Sequence, residues 1–291
     1  MVKGSRSVCL ATVLVFLASS SAFGETLRET RVIEESYTLK SEGPPRVVVD
    51  NIFGSVSIRG QQIDAVQLKV QETRVAETTE GLARARDEVG LEVFQRDGEI
   101  EFFVEGPFRR PDCEDRRQGF RSDDPDYQVQ YDFEILVPSQ ARLLVKTVND
   151  GDIEIVGVRG DFEVSNVNGS IRLAGLAGSG SAETINGEIS AQFDVNPRAA
   201  TRFSTINGEV EAQFQPDLSA ELRLEAKWGE VWSEYVVRPL PNPAPTRRVD
   251  SGRTVIEFSS GSRVQVGAGG PILEFETLNG DIYVRRSEGS G

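Results

Sequence analysis

Apolar and polar residues alternate with a period of two through the C-terminal half of the chain. The alternation is clearest in short segments that each follow a glycine. Such a pattern is typical of a β-strand with one buried face. The apolar positions predicted to point toward a core are Ile153, Ile155, Ile171, Leu173, Ile189, Ala191, Phe193, Val210, Ala212 and Phe214.

These segments also repeat in sequence. ETINGEISAQF, residues 183–193, returns almost unchanged as STINGEVEAQF, residues 204–214. Asn-Gly supplies the positive φ that a tight turn needs, so each unit is predicted as strand, tight turn, strand and looser turn. Aligned on the tight turn, the repeated glycines are Gly151, Gly169, Gly187, Gly208, Gly229 and Gly280, with a weaker relative at Gly54.

Two architectures fit this unit. In a meander each Asn-Gly would close a hairpin, pairing Thr205 with Val210 across the turn. In a parallel solenoid each unit would be one coil, and like residues would stack about 4.8 Å apart, Asn over Asn and Ile over Ile. Stacked units are stabilised when residues at a fixed offset are identical, whereas a series of hairpins gives no reason for that identity. We therefore expect an all-β protein with a parallel β-solenoid and a more irregular N-terminal β portion.

The N-terminal portion contains the helix candidate TTEGLARARDEVG. Leu82, Ala85 and Val89 would share one face, with Thr79 placed to cap the start. We expect this short helix to pack across an open end or side of the β-structure, and a partner-binding helix is the alternative. Around it, AVQLKVQETRV, LEVFQRD and EIEFFVEG predict strands longer than those of the repeats.

The chain divides into four predicted parts. Residues 1–24 have a positive start, an apolar run too short to span a bilayer and small residues after it, which is the pattern of a secretory signal peptide. Residues 25–145 form the irregular β portion, residues 146–286 the repeats and residues 287–291 a disordered tail. Export to the periplasm or the cell surface is expected, with no membrane span in the mature chain.

Two segments interrupt the pattern. Residues 107–126 hold mixed charges and prolines, which predicts an exposed loop. Its Cys113 has arginine pairs nearby that would favour a thiolate, but the adjacent acids oppose this, so a reactive thiol is not expected. The proline-rich stretch 238–248 predicts an extended strap between the Gly229 and Gly280 units.

Composition excludes several classes of function. The chain has no histidine, which rules out Ser-His-Asp and Cys-His catalysis and any zinc site that needs imidazole. The formal net charge of −14 opposes binding to nucleic acid or anionic lipid. With one cysteine left after residue 24, no internal disulfide is possible, and the fold must depend on its buried core.

An acidic residue follows the turn glycine in several units. If coils stack in chain order, Glu188, Glu209 and Glu230 form one contiguous column. Neighbouring unit charges 4.8 Å apart repel by about 0.9 kcal/mol in water, so a solvated column needs no metal. No cofactor or metal is therefore expected, and this column is the candidate for a bridging cation.

The repeat pattern breaks at KWGEVWSEY. Trp228 takes the place of the turn asparagine, Trp232 takes that of the outward Glu211, and Tyr235 follows. Exposed aromatic rings on a β surface can stack on sugars or anchor a protein, which makes these three residues the ligand-binding candidates. The alternative is that they cover an apolar gap where the proline-rich stretch leaves the repeats.

The motifs together resemble a known family. YDFEILVPSQARLLVKTVNDGDIEI, the Asn-Gly strand pairs and the closing GGPILEFETLNGDIYVRR are similar to the bacterial putative-adhesin β-strand-repeat domains of unknown function, which are related to the head-GIN domains and also grouped as toastrack domains. The resemblance covers residues 46–286. It implies an envelope-exposed β-solenoid linked with adhesion or envelope-stress systems, and it implies no catalytic residues. The charged and proline-rich insertions depart from it.

These observations favour a non-catalytic scaffold or binding surface with an envelope protein or a glycan as partner. The alternative is a carbohydrate-active enzyme, since parallel β-helices include polysaccharide lyases and hydrolases that place paired carboxylates in a groove. The acids of this chain occupy repeated, solvent-facing positions, whereas a catalytic site is normally where a pattern breaks. No catalytic residue is therefore expected.

Overall fold

A computed structural model describes residues 16–17, 26–39, 43–109, 126–241, 246–250, 253–257 and 261–288. The chain forms two compact units, unit 1 (residues 1–160) and unit 2 (residues 161–291). Both units consist of β-strands around apolar side chains, and the helix in the described part of the chain is the predicted one. The all-β prediction is confirmed.

Several predicted features lie outside the described residues. They are the signal peptide apart from residues 16–17, the charged loop from residue 110 to residue 125 with Cys113, residues 242–245 of the strap, and the last three residues of the tail. These predictions stay as they were stated.

Unit 1 is built from two mixed sheets. One has the strand order β1-β2-β5-β8-β4-β10 and the other the order β9-β3-β7-β6. In the first, β2, β5 and β8 are antiparallel, while β4 is parallel to both β8 and β10. The elements of unit 1 are β1 (Phe16–Leu17), β2 (Leu27–Thr38), β3 (Arg46–Asp50), β4 (Val56–Gln61), β5 (Ala65–Ala76), α1 (Thr79–Glu88), β6 (Gly90–Arg96), β7 (Glu99–Glu105), β8 (Tyr127–Pro138), β9 (Arg142–Lys146) and β10 (Ile153–Val156).

Helix α1 packs on β5 and β8. Ala85 and Val89 are buried and Leu82 is half-buried, so the predicted apolar face is confirmed. The cap is one residue earlier than expected: the side chain of Thr78, not of Thr79, accepts a hydrogen bond of 3.0 Å from the Gly81 amide. Thr78 has extended backbone angles, which an N-cap residue requires, whereas Thr79 is already helical.

Unit 2 is also built from two sheets, with a separate antiparallel pair of β20 and β21. The sheet orders are β12-β14-β16-β24-β18 and β11-β13-β15-β23-β17-β22-β19. The strands are β11 (Phe162–Ser165), β12 (Ile171–Leu176), β13 (Gly180–Glu183), β14 (Ile189–Phe193), β15 (Thr201–Asn207), β16 (Val210–Phe214), β17 (Ala220–Ala226), β18 (Val231–Ser233), β19 (Val237–Pro239), β20 (Thr246–Asp250), β21 (Arg253–Glu257), β22 (Ser262–Val266), β23 (Ile272–Asn279) and β24 (Ile282–Arg286).

Like strands of the repeats pair in parallel in unit 2. Thr205 faces Thr277, and Val210 lies between Ile189 and Ile282, so the hairpin that would pair Thr205 with Val210 is not formed. Strand β22 interrupts the parallel pattern, because it runs antiparallel to both β17 and β19. The second sheet of unit 2 is therefore mixed.

We call a turn glycine and the two strands that flank it a coil, and the order of these coils in the sheets of unit 2 differs from their order along the chain. The last coil, β23–β24 with Gly280, lies between the Gly208 coil (β15–β16) and the Gly229 coil (β17–β18). The expectation that the Gly208 and Gly229 coils are neighbours was wrong. The Gly280 phrase ETLNG supplies the threonine and asparagine that match the Gly208 phrase, whereas AKWG of the Gly229 phrase does not.

Each residue of the repeated Thr-x-Asn-Gly phrase makes a specific contact with the next coil. The Thr205 hydroxyl donates to the Gly187 carbonyl oxygen at 2.9 Å, and Thr184 and Thr277 make the equivalent bond. The asparagine amides form a ladder in the order 168, 186, 207 and 279, with Nδ2 to Oδ1 distances of 2.7 to 2.8 Å. The predicted stacking of Asn over Asn is thus found in unit 2, and it accounts for the repetition.

The core of unit 2 follows from the inward positions of the repeats. Phe193 stacks on Phe214 with ring centroids 5.0 Å apart, and Phe203 stacks on Phe275 at 5.6 Å. All four rings are buried. Because the same inward position recurs in successive coils, the rings meet along the stack and stabilise it beyond simple burial.

Candidate binding surface

The candidate surface lies on the outward face of the first sheet of unit 2. One row of outward-facing side chains, with one paired residue from each strand, crosses this sheet. The row ends in two aromatic residues, Tyr283 on β24 and Trp232 on the edge strand β18. Trp232 is 55% exposed. The full row is Arg172, Ser190, Glu211, Tyr283 and Trp232.

Charged side chains contact one member of the aromatic pair, Tyr283. The Arg285 guanidinium lies 5.2 Å from the centre of the Tyr283 ring and pairs with Glu211 at 2.7 Å and Glu234 at 3.7 Å. The Tyr283 hydroxyl donates to Asp281 at 3.0 Å, and this bond raises the pKa of the hydroxyl. The surface therefore combines aromatic faces with fixed hydrogen-bonding groups.

Trp228 lies at the turn of the same edge coil. Its backbone amide donates to the Leu278 carbonyl at 3.0 Å, as the Asn207 amide donates to Ile185. Trp228 thus stands in the next position of the asparagine ladder, as predicted, but its indole cannot continue the amide chain. The side chain is 75% exposed.

Tyr235 does not join the two tryptophans on the surface. It is 9% exposed, and its hydroxyl donates to the carbonyl oxygens of Phe214 and Gln215 at 2.9 and 2.8 Å. Burial raises the pKa of this hydroxyl to about 12. The position of Tyr235 thus differs from the one expected: it anchors the end of the edge coil to the end of β16.

The acidic column also differs from the expected one. Asp281 lies between Glu209 and Glu230, because the last coil is inserted there. Its carboxylate already accepts from the Glu230 amide at 2.8 Å and from Tyr283. Among the residues that the structure describes, no group of three or more acidic or cysteine side chains is arranged to hold a metal ion.

The outward face of the second sheet has a different character. Arginines and glutamates alternate across its strands, with Arg202 and Arg223 both pairing with Glu274, at 3.2 and 2.8 Å. Arg263 continues the pattern by pairing with Glu221 at 2.7 Å, and its hydrogen bond lowers the pKa of that carboxyl group. Exposed ion pairs of this kind are typical of a solvated face. The aromatic pair therefore distinguishes the first sheet.

The sequence alone did not reveal Tyr283 and Arg285 as members of this surface. They lie about fifty residues after Trp232 in the chain, and only the insertion of the last coil brings them beside it. The sequence did contain one signal. Trp228 cannot continue an asparagine ladder, so its coil is expected at the end of the stack of coils.

Within the described ranges, no helix is long and apolar enough to cross a bilayer. No family model and no curated protein sequence matches the chain.

Solved structures with similar features are known. One is a putative cell adhesion protein from Clostridium sporogenes, with 10% identity, a TM-score of 0.38, and coverage of 88% of this chain and 100% of that one. A putative adhesin from Bacteroides fragilis has 8% identity and a TM-score of 0.29, and a putative lipid binding protein from Parabacteroides distasonis has 11% and 0.25; each match covers 88% of this chain and 97% of the other.

Proposed function

We propose that this protein is a non-catalytic, exported binding protein of the cell envelope, adhesin-like in role and built as a parallel β-solenoid. Its binding surface is the outward face of β24 and β18, and its ligand is a neutral glycan. The exposure of Trp232 beside Tyr283 carries this proposal, because two neighbouring aromatic rings on a β surface offer apolar faces on which a ligand can stack.

The surroundings of the aromatic pair favour a sugar. A pyranose ring offers an apolar face that stacks on an aromatic ring and hydroxyl groups that need polar partners. Glu211 and Glu234 lie next to the pair and keep lone pairs that can accept from sugar hydroxyls while they bind Arg285. The net charge of −14 disfavours polyanions, which points to a neutral glycan.

An array of neutral and acidic glycans tests the proposal. The expected result is retention of the protein on a subset of neutral glycans, whose chain length stays unchanged on incubation. Trp232→Ala and Tyr283→Ala should each weaken retention about fivefold, since each removes about 1 kcal/mol of stacking.

The matched control is Ser190→Ala, which changes the same outward row two strands away from Tyr283. It should retain glycan as the unchanged protein does. Retention that persists in Trp232→Ala would remove this surface from the account. Shortening of a bound polysaccharide would instead favour the carbohydrate-active enzyme.

A further inference from the structure

The Asn-Gly pairs of the repeats are open to a spontaneous reaction that changes the protein covalently. The side-chain amide of an asparagine can be attacked by the backbone nitrogen of the next residue, and glycine, which has no Cβ, hinders this attack least. Each pair in this chain follows an aliphatic residue, so the local sequence makes all of them similarly reactive. The four pairs are Asn168-Gly169, Asn186-Gly187, Asn207-Gly208 and Asn279-Gly280.

The pair at Gly208 is held by the coils on both of its sides. The Asn207 Nδ2 donates to Asn186 Oδ1 at 2.7 Å, and the Asn207 Oδ1 accepts from Asn279 Nδ2, also at 2.7 Å. The Gly208 amide donates to the backbone carbonyl of Asn279 at 3.0 Å. Reaction at Asn207 would therefore break three hydrogen bonds.

The pairs at Gly187 and Gly169 are held in the same way on the side of the following coil. The Gly187 amide donates to the Asn207 carbonyl and the Gly169 amide to the Asn186 carbonyl, both at 3.0 Å. The Oδ1 atoms of Asn186 and Asn168 each accept from the asparagine of that coil, at 2.7 and 2.8 Å. In both pairs, the attacking nitrogen and the side chain that it would attack are thus engaged.

The pair at Gly280 lacks this protection, because the next coil is the Gly229 coil at the end of the stack. Trp228 occupies the next position of the ladder, and it has no side-chain amide to donate. Among the residues that the structure describes, no group donates to Asn279 Oδ1, and the Gly280 amide donates to no carbonyl. The Asn279 side chain keeps one hydrogen bond, from its Nδ2 to Asn207.

Access to water does not distinguish the four pairs. All four asparagines are exposed, and all four glycines are half-buried. The state of the Gly280 amide does distinguish them: its nitrogen must lose a proton to attack, and a hydrogen bond to a carbonyl, which the other three glycine amides have, opposes that loss. The fold therefore leaves one pair free to react and protects the other three.

We propose that Asn279 is a site of selective deamidation, at which the side-chain amide becomes a carboxylate while the other three asparagines of the ladder stay intact. The Gly280 nitrogen bonds to Cγ of Asn279, the Cγ–Nδ2 bond breaks, and ammonia leaves with the proton that the Gly280 nitrogen loses. Water then opens the cyclic imide and gives aspartate or isoaspartate. Water is the only co-reactant, and no atom is oxidised or reduced.

The modification changes the turn to which the Gly229 coil is attached. Isoaspartate inserts the side-chain methylene into the backbone between β23 and β24. Two amide bonds hold the Gly229 coil to the residues flanking this turn, Trp228 to Leu278 at 3.0 Å and Ile282 to Glu230 at 2.9 Å. We therefore expect this coil, which carries both tryptophans of the chain, to loosen, and tryptophan emission to shift as the modified form accumulates. Unchanged emission in the fully modified protein would contradict this consequence.

Peptide mapping by mass spectrometry tests the proposal. Each Asn-Gly pair falls on a different tryptic peptide, so the mass increase of deamidation can be followed at every site in one sample. In mildly alkaline buffer, Asn279 of the native protein should react about thirtyfold faster than Asn207, because reaction at Asn207 breaks two more hydrogen bonds. A sample unfolded in urea is the control for the local sequence, and its four sites should react at similar rates.

Two substitutions of Trp228 separate hydrogen bonding from shielding by a side chain. Trp228→Asn supplies an amide that can donate to Asn279 Oδ1, so Asn279 should react about fivefold more slowly. Trp228→Ala supplies no donor and should not slow the reaction.

Equal rates at the four sites of the native protein would overturn the proposal. So would a faster reaction at Asn186 or Asn207 than at Asn279, or an unchanged rate at Asn279 in Trp228→Asn. The test uses no glycan, so its outcome does not depend on the proposed binding function.

Discussion

Replacing Gly187 with alanine tests how closely the coils of unit 2 approach each other. A Cβ at this position would lie 2.1 Å from the Gly169 carbonyl oxygen and 2.5 Å from its carbon, where ordinary contact begins at 3.4 Å. The backbone φ of Gly187 is not in the left-handed region, so the effect of the change is steric. The two coils would have to separate by about 1.3 Å at this point.

That separation is enough to break the hydrogen bonds at the turn. Two of them join a backbone amide to a backbone carbonyl: Gly169 donates to Asn186 (3.0 Å), and Asn186 donates to Val167 (2.8 Å). The other two are the hydrogen bond from the Asn186 side chain to the Asn168 side chain (2.8 Å) and the one from the Thr184 hydroxyl to the Gly169 carbonyl (3.0 Å). At a net value of about 1 kcal/mol each, with partial relaxation, we expect Gly187→Ala to lower the free energy of unfolding by about 2–4 kcal/mol.

Urea unfolding followed by far-ultraviolet circular dichroism measures this change. Gly43→Ala is the control, because nothing lies within 4 Å of a Cβ there and its φ is not positive. Its free energy of unfolding should stay within about 0.5 kcal/mol of the unchanged protein. A loss below about 0.5 kcal/mol for Gly187→Ala as well would refute the close stacking of the two turns.

Two further predictions concern single side chains. Burial raises the pKa of the Tyr235 hydroxyl to about 12, so its contribution to stability is present below pH 10 and is lost as the pH rises from about 10 through 12. Between pH 9 and pH 11.5, the free energy of unfolding should therefore fall less for Tyr235→Phe than for the unchanged protein. An equal fall in both proteins would contradict the burial of that hydroxyl. Thr78→Ala should destabilise by about 1 kcal/mol through loss of the helix cap, whereas Thr79→Ala should have little effect, and the reverse result would favour the cap position expected from the sequence.

The buried positions of the repeats could be predicted because alternation directly encodes which side chains face inward. Val210, Ala212 and Phe214 are all fully buried, as the pattern indicated. The parallel pairing could be inferred from the repeated sequence, because parallel stacking places identical residues of successive units next to each other. The antiparallel strands β2 and β22 were harder to predict, because their side chains are mostly exposed or half-buried and show no strict alternation.

The candidate surface was only partly predictable. Trp228 and Trp232 stood out because they break a repeated pattern, and both are exposed. Tyr235 is close to them in sequence but points inward, and nothing in the alternation around it distinguishes a surface ring from a coil anchor. Tyr283 depends on the order of the coils, which is set by contacts between distant segments.

The buried ion pair of Glu72 and Arg74 in unit 1 left one trace in the sequence pattern. Glu72 and Arg74 occupy alternate positions of β5 that would normally hold apolar residues, since the strand buries Leu68 and Val70 on the same face. Two charged residues in an inward register are a signal of a buried polar site. Their partners from other strands are Glu29 of β2 and Tyr131 of β8, and this pairing required the three-dimensional structure.

Cysteine cross-linking tests the insertion of the last coil most directly, and the composition of the candidate surface depends on that insertion. In a Cys9→Ser, Cys113→Ser background, Trp232→Cys with Tyr283→Cys places two thiols on directly paired positions of neighbouring strands, about 4.8 Å apart at Cα, which a disulfide can span. Trp232→Cys with Glu211→Cys places them two strands apart, beyond its reach. The account predicts rapid oxidation of the first pair and none of the second; a disulfide in the second pair but not in the first would contradict it.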